Sequence, residues 1–102
     1  MKKEPWEELP IRSKVEMVEE VGEVISYLHK GIRLPADLLI EDLKYRSLFL
    51  GEEIQGDVLV FAEQVAFQYD YDPWHKVTSN VQEAADKLIE DLGFTPPPLY
   101  HP

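Results

Sequence analysis

Proline restricts this chain more than any other residue. Prolines stand at positions 5, 10, 35, 73, 96, 97, 98 and 102, which leaves residues 11–34, 36–72 and 74–95 free of them. An interior proline costs a helix about 3 kcal/mol, and each of these intervals is long enough to be helical. No window shows the sustained alternation of a half-buried strand, and no Asn-Gly or Asp-Gly hairpin signal occurs. The chain is therefore expected to be all-α, a three- to four-helix bundle.

Hydrophobic spacing places the helices. Met17, Val21, Val24 and Leu28 recur at helical intervals, with Val18, Ile25 and Ile32 widening the stripe. They predict a helix over 13–30, with Ser13 as N-cap and Glu16 three residues on. Leu39, Leu43 and Leu50, with Leu38, Tyr45 and Phe49 near them, predict a second helix over 36–50. Ile54, Val58, Phe61, Val65 and Tyr69 predict a third over 52–69. Its crowded Val58-Leu59-Val60-Phe61 run is apolar on more faces than one chain covers, which points to a central helix and a homodimer. Asp72 and Pro73 read as N-cap and first residue of a fourth helix, whose stripe is Val77, Val81, Ala84, Ala85, Leu88 and Leu92. Gly31, Gly51 and Gly93 follow apolar-periodic runs and are placed as left-handed caps. Residues 1–10 are expected as a short arm and 94–102 as an extended Pro-rich tail of one 102-residue domain.

Charge narrows the function. Twenty Asp and Glu against ten scattered Lys and Arg give a net charge of -10, which repels nucleic acid and anionic membranes. Without cysteine there is no disulfide framework and no thiolate metal site. Met1-Lys2-Lys3 leads into Glu4-Pro5-Trp6 rather than an apolar run, so no secretory leader and a cytoplasmic location are expected.

The acids are clustered. Glu16, Glu19, Glu20 and Glu23 crowd the first helix, and Glu52, Glu53 and Asp57 the start of the third. At about 100° per residue, Glu20 lies within roughly 60° of Met17 and Glu23, at the border of the apolar stripe. Glu53, Asp57, Val60 and Phe61 fall on adjacent lines of the third helix. Carboxylates gathered at a core edge must take up protons or a cation, and oxygen ligands at helical spacing suit Mg²⁺, with Mn²⁺ as its substitute. Acids at such spacing on a solvated helix face are the other reading of the same pattern.

Glu19-Glu20-Val21-Gly22-Glu23, followed by Glu52-Glu53-Ile54-Gln55-Gly56-Asp57-Val58-Leu59, resembles the paired acidic motifs of the MazG-like nucleoside triphosphate pyrophosphohydrolases. The second motif here is ExxxD where that family has ExxD. The resemblance spans about 14–80. It implies a MazG-like helical bundle that dimerises or tetramerises, binds Mg²⁺ and cleaves a nucleoside triphosphate to the monophosphate and pyrophosphate. Carried over, Glu20, Glu23, Glu53 and Asp57 are the metal ligands, Glu19 is the general base, and Lys76 and Asn80 hold phosphate. Trp6 and Trp74 are candidates for stacking on the base, with core packing the plainer role for each. The rival reading is an acidic helical binding protein, an immunity protein, antitoxin or nucleic-acid mimic, whose carboxylates meet a basic partner without metal.

Overall fold

Four helices follow one another in the computed structural model, which describes residues 5–71 and 76–96, with side chains from residue 13 on. They are α1 (Pro5–Lys30), α2 (Leu34–Ser47), α3 (Glu52–Tyr71) and α4 (Ser79–Asp91). Among the described residues there is no strand, and no helix is long and apolar enough to cross a membrane.

Proline marks the boundaries less sharply than expected. α1 begins at Pro5, so residues 5–10 of the expected arm are helical and Ser13 lies inside the helix rather than at its cap. Pro5 occupies the first helical position, where its missing N–H has no intrahelical partner to lose. The bond that Pro10 forfeits falls ahead of Met17, the first buried side chain among the described residues. α2 likewise begins at Leu34 and takes Pro35 into its first turn. It ends at Ser47, after which Leu48, Phe49 and Leu50 tighten into i→i−3 bonds to Tyr45, Arg46 and Ser47. Gly31 stands at φ 69°. There the Ile32 N–H reaches back to the Tyr27 carbonyl at 3.0 Å, a left-handed cap that a residue with a Cβ would strain. Gly51 and Gly93 also have positive φ, at 102° and 95°.

The start of α4 is a correction. Thr78, not Asp72, is its N-cap, and the Thr78 hydroxyl accepts from the Val81 N–H at 3.3 Å. The physical reason is Gln68 of α3, which is 1% exposed. Its Nε2 donates to the Lys76 carbonyl at 3.2 Å and its Oε1 accepts from the Thr78 N–H at 2.9 Å, holding 76–78 in extended form. Asp72 and Pro73 lie outside the described residues.

The helices stack in chain order, α1 chiefly on α2, α2 on α3 and α3 on α4. Met17, Val21, Val24 and Leu28 of α1 meet Leu43, Val58, Phe61, Val65, Val81, Ala85 and Leu88 in one fully buried core. Each large side chain there adds about 1.5–3 kcal/mol of apolar burial. One end is locked by polar contacts. The Tyr69 hydroxyl donates to the Ile32 carbonyl, Arg33 donates to Asp70 at 2.9 Å, and the Arg33 guanidinium lies 5.4 Å from the centre of the Tyr69 ring.

Replacing Gln68 with Ala would remove two hydrogen bonds to part-buried backbone groups, at about 0.5–1.5 kcal/mol each. The expected result is a melting temperature lower by several degrees and faster amide exchange at the start of α4, with α1 and α2 little changed. Unchanged exchange at Thr78 and Val81 would remove Gln68 from this role.

Candidate functional site

The two acidic motifs are not brought into one cluster. Among the described residues no group of three or more His, Asp or Glu side chains is placed to hold a metal ion. The cause is topological, because α2 packs on both α1 and α3 and takes Glu16 and Glu20 of α1 for itself.

Glu20 turns toward α2. Its Oε1 lies 3.7 Å from Arg46 Nε, while the same nitrogen donates to Asp42 Oδ2 at 2.9 Å. Arg46 also pairs with Glu16. Three carboxyls thus surround one guanidinium, and Glu20 Oε2 is buried with no partner among ionised groups. Burial, then the neighbouring Asp42, push Glu20 up to about 8. The Asp42 carboxyl is held below its ordinary value, first by its hydrogen bond with Glu20 and then by Arg46. Protonated Glu20 donates to ionised Asp42, which gives the orphaned oxygen its partner. This seam, α1 against α2, is closed by a proton and an arginine.

Asp57 turns the other way, toward α4. It is 8% exposed, and its carboxyl meets that of Asp91, so that the two buried Oδ2 atoms, which no other described group serves, can be satisfied by one proton shared between the acids. Burial, then Asp91, push Asp57 up to about 6, with the charge of Glu53 adding to the rise and Lys87 opposing it. Lys87 Nζ stands 3.8 Å from Asp91 Oδ2, beyond hydrogen-bond reach, and its side chain is 68% exposed. Lys87 also lines a groove of about 250 Å³ between α3 and α4, together with Val60, Gln64, Asn80, Glu83 and Ala84. Glu53, Asp57, Val60 and Gln64 share one face of α3, as Asn80, Ala84, Lys87 and Asp91 share one of α4. Within the groove the amides of Asn80 and Gln64 lie toward one end and Lys87 toward the other, with Asp57 and Asp91 one turn beyond the lining on the same helix faces.

The other expected site residues are dispersed. Glu19 and Glu23 line a hollow of about 550 Å³ on α1, with Gly22, Ile25, Ser26, His29 and Lys30. Glu53 is exposed. Lys76 precedes the N-cap of α4, so it is not on the helix that carries Asn80, and it lies outside the groove lining. The Trp6 side chain and Trp74 lie outside the described residues. Sequence reasoning passed over Asp42, Arg46, Lys87 and Asp91. Asp91 carried a readable signal, since it follows Ala84 by seven and Leu88 by three and so falls on the apolar line of α4.

No protein-family model, curated protein or solved structure matches the chain.

The shared protons make stability fall as pH rises. Folded Glu20 keeps its proton above the ordinary value of 4.5, up to about 8, and folded Asp57 keeps its own from 3.8 up to about 6. Across those windows the folded chain binds more protons than the unfolded one, so stability is greatest at their acid end and is lost toward the upper value. The melting temperature is expected to drop between about pH 4 and 8. Glu20→Gln, a neutral amide still able to donate to Asp42, should flatten the part of the curve above the Asp57 window. An undiminished slope in that variant would rule out the shared proton.

Proposed function

We propose that the chain is a Mg²⁺-dependent nucleotide pyrophosphohydrolase of the MazG-like type, cleaving a nucleoside triphosphate to monophosphate and pyrophosphate in the groove between α3 and α4. The observation that supports this best is the groove lined by Lys87 and Asn80, with Asp57 one helical turn beyond its lining on the face of α3 that carries Val60. An ion fits beside the groove on the chemistry of the donors, because the facing carboxyls of Asp57 and Asp91 offer only oxygen and would give up their shared proton to it. Mg²⁺ is typically held by one or two carboxylates together with substrate phosphate oxygens. When bound, it supplies charge neutralisation at the phosphates and orientation of a water.

The chain's own residues divide the remaining work. Asp57 would hold the ion. The Asn80 amide donates to phosphate oxygens, and Lys87 offsets phosphate charge from the rim. Glu53, one turn before Asp57 and exposed, is the free carboxylate able to accept a proton from water. At about 250 Å³ the groove suits a phosphate chain, whereas whole drug-sized ligands take about 300–1,000 Å³. The sugar and base would thus project beyond it.

A homodimer is part of this proposal. Leu34, Leu38, Tyr45, Leu48 and Phe49 are all exposed. At helical spacing they fall along one line of α2 and its C-terminal turn, with the Tyr45 and Phe49 rings edge to face at 5.4 Å. A second copy laid on this stripe would remove it from water. A second reading, the acidic binding protein, is favoured by Glu19, Glu23, Glu52, Glu53, Glu83 and Glu90, all of which are exposed.

Pyrophosphate release from a panel of nucleoside triphosphates with Mg²⁺ decides between them. Turnover is expected to fall about 10²-fold or more in Asp57→Asn and Asn80→Ala, with far-UV circular dichroism unchanged. No release from any nucleotide, together with capture of a basic protein, would hand the function to the binding reading. Separately, Leu38→Glu combined with Tyr45→Glu should convert a dimer to a monomer in sedimentation velocity, and an unaltered sedimentation coefficient would move the interface elsewhere.

A further inference from the structure

The face of α3 that walls the groove continues past its amide end. Val60 and Gln64 line the groove, and Phe67 and Tyr71 follow at spacings of three and four, so all four share one face of the helix. Phe67 is 53% exposed and Tyr71 76%. Their rings stack on each other, with 4.4 Å between centroids and 24° between planes. The amides at this end are uncommitted. Gln68 and Gln82 bond to Lys76, Thr78 and Asp86, whereas the side-chain amides of Gln64 and Asn80 make no hydrogen bond among the described residues.

We propose that Phe67 and Tyr71 form the platform on which the base of a purine nucleotide stacks, with Gln64 meeting the edge of the base and the phosphates running back into the groove toward Lys87. The inference rests on the pyrophosphohydrolase reading and deepens it by naming the class of base. Charge favours a contact of this kind. A chain of net charge -10 exerts no long-range attraction on a polyphosphate, so affinity has to come from the uncharged part of the ligand. Stacking on an aromatic side chain supplies about tenfold per base and needs no charge. The rings form an open surface, so the gain grows with the area laid on them, which is larger for a purine than for a pyrimidine. The Gln64 amide carries a donor and an acceptor, which match the paired acceptor and donor on the edge of adenine. The length agrees as well: at 1.5 Å per residue, Asp57 and Tyr71 are about 21 Å apart along α3, the reach of an extended nucleoside triphosphate.

The test is calorimetric titration of the full chain, with Mg²⁺, by the α,β-methylene analogues of adenosine and cytidine triphosphate and by inorganic tripolyphosphate. Cytosine also carries an amino donor beside a ring acceptor, so the two analogues differ chiefly in stacked area. The adenosine analogue is expected to bind more tightly than the cytidine one. Phe67→Ala, Tyr71→Ala and Gln64→Ala should each weaken it about tenfold, leave tripolyphosphate binding unchanged, and melt near the native temperature because all three side chains reach water. Phe67→Trp should restore the affinity. Leu59→Ala, an exposed apolar position of α3 off this face, should bind as the native chain does. No binding of the analogue, native affinity in both ring variants, an equal loss for tripolyphosphate, or cytidine binding as tight as adenosine would each overturn the platform. So would a lower sedimentation coefficient in Phe67→Ala with nucleotide affinity unchanged, which would give the rings to a second copy of the chain. Analogue bound through Phe67 and Tyr71 without hydrolysis of any nucleotide would remove the enzyme reading and leave the platform standing. Hydrolysis with kcat/KM unchanged in both ring variants would do the reverse.

Discussion

Two carboxyl groups pressed face to face at the edge of an apolar core cannot both ionise unless something positive comes between them. Much of this bundle is arranged around that constraint. Asp57 and Glu20 sit on helices whose apolar stripes supply the folding energy, and each is drawn inward as its stripe is buried. Neither can retreat to water without lifting Phe61 or Val21 and Val24 out of contact, all of which are fully buried. The core thus enforces the electrostatic compression, and the compression in turn fixes which protonation states the folded chain tolerates. On the α1–α2 side an arginine and a proton relieve it; on the α3–α4 side a proton shared with Asp91 relieves it, and among the described residues the nearby cation is a lysine held off at 3.8 Å.

The helices were legible because their cause is local. Apolar residues three and four apart specify a buried face wherever they occur, and α1 to α4 carry such faces along most of their lengths. The start of α4 was not legible. Asp72-Pro73 is a sound local signal for a helix start, but the observed start depends on Gln68 reaching across to Lys76 and Thr78. A glutamine in the middle of an apolar helix reveals neither its burial nor its partner. The prolines misled in the opposite direction, since Pro5, Pro10 and Pro35 all fall within helices. Two of them occupy first-turn positions where proline is tolerated.

The site was legible in part for the same reason. Helical angles placed Glu20 and Asp57 correctly at the edges of their stripes. They could not reveal which helix each edge would face, because that is decided by packing order. With α2 packed on both α1 and α3, the two motifs look away from each other and each finds a partner that no motif contains, Asp42 for Glu20 and Asp91 for Asp57. Asn80 reached the groove because its position in the first turn of α4 is set by the Thr78 cap rather than by its spacing from Lys76.

The grip of Gln68 on the chain before α4 has a consequence for how this segment can vary. Both of its bonds go to main-chain atoms, the Lys76 carbonyl and the Thr78 amide. The clasp is therefore blind to the side chains it holds, and residues 76 and 77 can drift in character while the path of the backbone stays fixed, Thr78 alone being held by its capping hydroxyl. What the segment cannot accept is a residue at 78 that lacks an N–H. One buried amide on α3 thus frees the connection's surface chemistry from its geometry, so that the entrance to α4 can be redecorated without moving the helix that carries Asn80, Lys87 and Asp91.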